Sequence, residues 1–278
     1  RQVRPVDPDE IFEYVSTAPH PAVVRQTLRE AMFELGLREQ PDGTFVPVES
    51  GPVEPAITTI EAFPESHSRR FENLLVETSG AGWAEGTSGR HLRENLRQMK
   101  EAYFAGESVE YDRDTALAYA CYHLPDYYAA VQYPLMTLGN KGLLSRRCRV
   151  LEVGAGVGGP ALGIHDLFGD ESLIEYHAVE ASDAAANVFE QMVDESRPGF
   201  QPIVHRETAE TFAPETVLGN KGYESATAGN GPNGFDLILF GNVLSELDAP
   251  QTVAREYAEY LAEDGSMVLL APADRNTA

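Results

Sequence analysis

Cysteine is almost absent from this 278-residue chain: Cys121 and Cys148 are the two it has, and neither belongs to a CxxC pair. A disulfide scaffold and a cysteine-only metal site are therefore excluded. The seven histidines show no H-x-x-H or H-x-H spacing, so no metal site is expected. No run of about 18 uninterrupted apolar residues occurs, and the opening RQVRPVDPDE lacks the apolar stretch of a secretory signal. Neither membrane spanning nor secretion is indicated, and a soluble cytoplasmic protein is expected. Lysine is scarce too. Three of the 21 basic residues are lysines (Lys100, Lys141 and Lys221), against 44 Asp and Glu, for a net charge of −23. The acidity is dispersed along the chain rather than gathered in a tail, as suits a surface that stays hydrated in concentrated salt. A halophile's cytoplasm is expected, with an ordinary acidic protein as the alternative. The same charge argues against indiscriminate attraction to nucleic acid or anionic lipid, so neither DNA nor a membrane is expected as a partner.

What is present suffices for one large domain or two modest ones, with 42% hydrophobic and 23% charged residues. Residues 1–110 read as a helical region and residues 111–278 as an α/β domain. Asp7, Pro8 and Glu10 form an N-terminal cap signature, which predicts a short helix through Ile11, Phe12 and Val15. Val24, Leu28, Ala31 and Leu35 recur at helical spacing and Gly36 supplies a left-handed stop, after which PDGTFVPV offers a turn and a short extended piece. This is either a winged-helix-like unit or a helical cap with an irregular loop. Residues 63–90 mix Pro, Ser, Gly and Thr, end in SGAGWAEGTSG, and read as a loop too polar to pack as a regular element.

A helix restarts in HLRENLRQMKEAYF. Its apolar stripe is Leu92, Leu96, Met99 and Tyr103, while Arg90, Arg93, Arg97 and Lys100 fall on another face. With Glu94 and Glu101 interleaved, that face is a solvated one with local ion pairs unless the partner is RNA. From Asp114 the tract TALAYACYHLPDYYAAVQYPLMTL predicts two helices separated at Pro125. The segments RVLEVGAG, EYHAVEAS, QPIVHRE, FDLILFGNV and SMVLLAPA then read as short buried strands with helices between several of them. Such alternation means a doubly wound, mainly parallel α/β sheet, with ligands at the carboxyl ends of its strands near the switch in strand order. Residues 214–234 read as a mobile loop.

The chemistry is concentrated in VLEVGAGVGG (150–159), a strand running into a glycine turn and then a helix whose first turn holds Pro160. Gly154 and Gly156 allow a tight turn and close approach to a ligand, and the helix after Gly158 and Gly159 presents amide donors. Gly154, Gly156 and Gly159 with Glu180 also satisfy the dinucleotide fingerprint. Glu152 argues against that ligand, because a carboxylate at the strand end repels a pyrophosphate and attracts an aminium group. The E-x-G-x-G-x-G arrangement resembles the first motif of class I S-adenosylmethionine-dependent methyltransferases. The resemblance implies a Rossmann-like methyltransferase sheet, S-adenosyl-L-methionine as cofactor, Glu180 accepting hydrogen bonds from both ribose hydroxyls, and Glu207 near the adenine. After the fourth strand there is no N/D-P-P-Y motif and no cysteine. Asn242 and Glu246, with Ser245 beside them, are the candidates for substrate contact, their alternative being plain helix-start residues.

AYACYHLPDYYAAVQYPL (118–135), RVLEVGAGVGGPALG (149–163) and FDLILFGNVLSELD (235–248) together resemble the methyltransferase-like family associated with the small ribosomal subunit and its assembly. The likeness covers roughly residues 114–273. It implies ribosomal RNA or a pre-ribosomal particle as partner, through methyl transfer or a ligand-stabilised binding role, with Arg90, Arg93, Arg97 and Lys100 as the RNA-facing residues. Two departures stand out. Members often carry cysteines for an iron–sulfur cluster in the C-terminal part, whereas no cysteine follows Cys148, and the chain stops just after the fifth predicted strand of an ordinarily seven-stranded sheet. With Arg rather than Met at its start, the chain is expected to be part of a longer protein. A small-molecule methyltransferase and, more distantly, a nicotinamide-dependent enzyme are the alternatives. An RNA binder requires a coherent positive patch in the N-terminal region, and a small-molecule enzyme a closed apolar lid.

Overall fold

The structure is a computed structural model describing residues 4–11, 14, 16, 19–49, 51–57, 59–60, 62–105, 109, 111–193, 199–218 and 234–271. Asp7 starts helix α1 (Pro8–Ile11): its side chain accepts the Asp9 N–H at 2.9 Å and its carbonyl the N–H groups of Glu10 and Ile11. The expected continuation through Phe12 and Val15 lies outside the described residues. Helices α2 (Pro21–Glu30) and α3 (Met32–Leu35) follow, broken at Ala31 and ended by Gly36 at φ 62°. PDGTFVPV joins a hairpin of antiparallel strands β1 (Leu37–Glu39) and β2 (Phe45–Pro47). Met32, Phe33 and Phe45 bury themselves against Leu173, which ties this unit to the main sheet.

The reading of residues 63–90 as a loop is corrected, because helix α4 (Glu65–Ser79) fills half of it. His67, Leu74 and Leu75 share its buried face. The irregular part shrinks to residues 80–85, and α5 (Gly86–Ala105) carries the expected HLRENLRQMKEAYF stretch. The predicted break at Pro125 is also corrected. Helix α6 (Arg113–Asn140) runs unbroken through Pro125 and Pro134, capped by Asp112, whose carboxylate accepts the Thr115 N–H at 2.8 Å. Proline removes one helical hydrogen bond. Burial of Leu117, Ala120, Leu124, Tyr128, Val131 and Leu135 on one side, along both flanks of Pro125, outweighs that loss.

The five apolar segments form one parallel sheet: β3 (Arg147–Val153), β4 (Leu173–Val179), β5 (Phe200–His205), β6 (Phe235–Gly241) and β7 (Leu261–Leu270). Helices α7 (Gly159–Phe168), α8 (Asp183–Met192) and α9 (Pro250–Ala258) cross between strands. The order β5-β4-β3-β6-β7 makes the expected doubly wound α/β sheet, and the chain reverses its direction of growth between β3 and β6. β3, β4 and β6 are buried along nearly their whole length, as strands covered on both faces must be. α6 lies against α7 at Gly163, where an added Cβ would stand 2.5 Å from the Tyr128 carbonyl oxygen. Of the expected mobile loop, Pro214–Thr216 is a single 3-10 turn, and residues 219–233 lie outside the described set. Among the described residues no helix is long and apolar enough to cross a membrane.

Candidate functional site

A cleft opens at the carboxyl ends of β3, β4 and β6, where a doubly wound sheet leaves room between diverging crossovers. Its floor is the glycine turn after β3. Gly154 sits at φ 74° under Val243, and Gly156 at φ 55° under the ring of Tyr119. Glu180, just beyond β4, is held from two sides: Gly156 N–H donates to its Oε2 at 2.8 Å and Ser182 N–H to its Oε1 at 2.7 Å. Two donors leave lone pairs on both oxygens for further partners. Burial raises the Glu180 pKa, those two backbone bonds oppose the rise, and the nearby charge of Glu246 adds to it.

The far wall comes from β6. Asn242 is the one non-glycine residue at positive φ among the described residues, at 63°, and its backbone N–H is fixed by the Leu270 carbonyl at 3.0 Å. Its side-chain Nδ2 donates to the Tyr127 hydroxyl at 2.7 Å. Tyr127 belongs to an aromatic row on α6: Tyr119 and His123 lie 4.5 Å apart, and His123 stacks on Tyr127 at 5.4 Å. Tyr111 and Tyr119 line the cleft with Val243, Thr208 and four carboxylates, Glu180, Glu207, Glu210 and Glu246; no Lys or Arg lines it among the described residues. The cleft is thus acidic and partly aromatic, matched to a cationic ligand rather than an anionic one.

Of the residues singled out in the sequence, Gly154, Gly156, Glu180, Glu207, Asn242 and Glu246 meet in this cleft. Glu152 does not face it. Its carboxyl is wholly buried beneath Gly241, with Oε2 accepting the Tyr176 hydroxyl at 2.5 Å and Oε1 lacking any hydrogen-bond partner. Burial holds its pKa well above the usual carboxylate range, and Glu180 adds to that rise. Gly158 is likewise a packing residue: at φ 90° it caps α7, and an added Cβ would meet Val193 at 2.8 Å and Phe189 at 3.1 Å. The N–H groups of Gly154 and Ala155 go to the Val179 carbonyl, that of Gly156 to Glu180 and that of Gly158 to the Ala155 carbonyl. These four amides of the turn are spent within the protein and leave no donor there for a pyrophosphate.

Arg90, Arg93 and Arg97 are exposed on α5, away from the cleft lining. Arg93 reaches back to the Ala84 carbonyl at 3.3 Å, and Lys100 stands 3.6 Å above the ring of Tyr122, which abuts His123. The basic face therefore adjoins the aromatic row that leads to the cleft. Tyr111, Tyr119, Tyr127 and Val243 were missed as site residues. The signal for two of them is the four-residue spacing of Tyr119, His123 and Tyr127, which places them on one helical face; the expected break at Pro125 splits that face.

A family model described as "Domain of unknown function (DUF8157) N-terminal domain" matches residues 1–41. No curated protein sequence matches the chain. Among solved structures, it is similar to an arsenic(III) S-adenosylmethionine methyltransferase from Chlamydomonas reinhardtii, with 23% identity over 44% of this chain and 38% of that one, at a TM-score of 0.33. It is similar to Aeropyrum pernix fibrillarin in complex with S-adenosyl-L-methionine, with 19% identity over 44% of each chain and a TM-score of 0.31. A methyltransferase from Podospora anserina with bound S-adenosylhomocysteine shares 17% identity over 77% of this chain and 73% of that one, at a TM-score of 0.30. The chain spans less than half the length of the first two.

Proposed function

We propose that the chain binds S-adenosyl-L-methionine in this cleft and transfers its methyl group to ribosomal RNA of the small subunit or its precursor. The observation that carries the cofactor is Glu180, a carboxylate braced by two backbone donors at the end of β4, beside a glycine turn at the point where strand order reverses. Its remaining lone pairs suit the paired hydroxyls of a ribose. The four lining carboxylates and the spent amides of the turn disfavour a nicotinamide dinucleotide, whose pyrophosphate is anionic. When bound, the cofactor supplies an electrophilic methyl group on a positively charged sulfur. The protein's part is positioning: Glu180 orients the ribose, Gly154 and Gly156 allow close approach, and Asn242 and Glu246 border the acceptor's entry. No cysteine follows Cys148, so transfer relies on proximity rather than on a cysteine adduct.

One observation favours RNA as the acceptor. The exposed Arg90, Arg93 and Arg97 face continues through Lys100 and Tyr122 into the aromatic row, a combination of charge and stacking surfaces that single-stranded RNA uses. The test uses S-adenosyl-L-methionine with a labelled methyl group and small-subunit particles. Label in the RNA, reduced in an Arg93→Glu/Arg97→Glu variant and less so at high salt, is the expected result. Label that never enters RNA, or equal labelling by wild type and variant, contradicts the RNA reading.

A further inference from the structure

Asn242 carries two unfavourable features at once. Its left-handed backbone at φ 63° suits glycine, although asparagine is among the few other residues that tolerate it. The Oδ1 of its side chain is enclosed without a hydrogen-bond partner. Two contacts hold the residue in this state. The Leu270 carbonyl fixes its backbone N–H at 3.0 Å, and the Tyr127 hydroxyl accepts its Nδ2–H at 2.7 Å. The first contact comes from the neighbouring strand and the second crosses to α6. Strain of this kind persists only where the surroundings impose it. Tyr127 is itself firmly placed: it stacks on His123 with ring centres 5.4 Å apart and planes 20° apart, and it lies nearly parallel to Tyr119 at 6.3 Å. Burial raises the pKa of its hydroxyl, and a hydrogen bond with Tyr119 opposes the rise.

Tyr127 does not line the cleft, whereas Asn242 and the next residue, Val243, do. Val243 closes over the glycine turn, where a Cβ added to Gly154 would stand 2.5 Å from it. The backbone angle of Asn242 therefore decides where Val243 stands on the floor of the cleft. We propose that Tyr127 is a positioning residue: by holding Asn242 in its left-handed conformation it keeps Val243 over Gly154, and so sets the shape of the cleft from α6. The inference rests on the reading of the cleft as the S-adenosyl-L-methionine site. Without the hydroxyl, Asn242 relaxes toward ordinary backbone, the peptide it shares with Val243 turns, and the contact over Gly154 loosens. A cleft whose binding-competent shape is populated only in part binds its ligand more weakly by that fraction.

Titration calorimetry with S-adenosyl-L-methionine tests this in a cycle of Tyr127→Phe, Asn242→Gly and the two combined. Tyr127→Phe keeps the ring and its stacking and removes the hydroxyl alone. It should weaken binding about threefold to tenfold, the size of one net hydrogen bond. In the Asn242→Gly background, where positive φ needs no clamp, the same change should alter affinity by less than about twofold. Asn242→Ala, which meets the full steric penalty of that backbone, should bind more weakly than Asn242→Gly. Backbone couplings of Asn242 in isotope-labelled protein should report positive φ in the wild type and its loss in Tyr127→Phe. The inference is overturned if Tyr127→Phe binds like wild type, loses the same factor with and without Asn242→Gly, or leaves Asn242 at positive φ. If Glu180→Ala still weakens binding in that case, the cofactor site stands without Tyr127. A wild-type protein that binds no S-adenosyl-L-methionine removes the cofactor reading itself, and the role of Tyr127 with it.

Discussion

At Gly154 an added Cβ would lie 2.5 Å from Val243 in a backbone already at φ 74°, whereas at Gly156, at φ 55°, the nearest atom is 4.0 Å away. Gly156→Ala should therefore cost about 1–2 kcal/mol, the strain of left-handed backbone alone. Gly154→Ala should cost about 1–3 kcal/mol more, for the clash. Urea unfolding of the two variants decides it, and equal losses would remove Val243 as the cause. Glu152 makes a second claim. Its folded pKa lies well above its ordinary 4.5. Above that ordinary value the unfolded chain gives up the proton while the fold keeps it, so stability falls as pH rises through the folded pKa. Glu152→Gln keeps the shape without the charge and should flatten that slope, being at least as stable as wild type at pH 7 and losing the advantage near pH 4. An unchanged pH profile would contradict it. The places of Glu180, Gly154 and Gly156 were legible in the sequence because spacing alone marks a strand, turn and strand, whereas Gly158 packs against Val193 and Phe189. The burial of Glu152 was not, since it depends on Tyr176 of the neighbouring strand, which stands opposite Val150 and reaches diagonally to Glu152, a contact no local pattern shows.

Among the elements, β3, β4 and β6 were readable because their β-branched and apolar runs are short and buried on both faces, and β5 and β7, which are less buried, by the apolar residues within QPIVH and SMVLL. Helix α4 was not, because Phe71, Leu74 and Leu75 are diluted by Ser66, Ser68, Arg69, Arg70 and Glu72, and its apolar face is defined only by what it packs on. Pro125 misled for the opposite reason: a strong local breaker was overridden by the burial of α6 along both sides of it. That override depends on close contact between α6 and α7 at Gly163, where a side chain would meet the Tyr128 backbone and Val131. Backbone cannot yield as a flexible side chain can. Gly163→Ala should lower stability by about 1–3 kcal/mol despite the better helix propensity of alanine, read as a drop in thermal midpoint. A variant as stable as wild type would mean that α6 is not held against α7 at this point.

On the scale of the whole molecule, 44 acidic residues against 21 basic ones leave a chain that repels itself at low ionic strength. Salt shortens the reach of that repulsion to roughly 8–10 Å near physiological strength and further above it. The thermal midpoint should therefore rise steadily from low salt to molar potassium chloride, and a flat or falling midpoint would favour an ordinary acidic protein over a salt-adapted one. A doubly wound sheet with its ligand at the carboxyl ends of the strands near the switch in strand order was predicted from alternation of strand and helix, and the order β5-β4-β3-β6-β7 places that switch between β3 and β6. The aromatic wall from α6 was missed because the expected break at Pro125 splits the face that carries Tyr119, His123 and Tyr127, whereas α6 runs unbroken through it. The central claim is that this cleft holds S-adenosyl-L-methionine through Glu180. Calorimetric titration of the chain with S-adenosyl-L-methionine, and with NADH as the competing ligand, tests it most directly. Binding of the first alone, weakened by about 1.5–3 kcal/mol in Glu180→Ala as hydrogen bonds to a charged group are lost, is the predicted result; NADH binding as tightly, or a Glu180→Ala variant that binds like wild type, would contradict it.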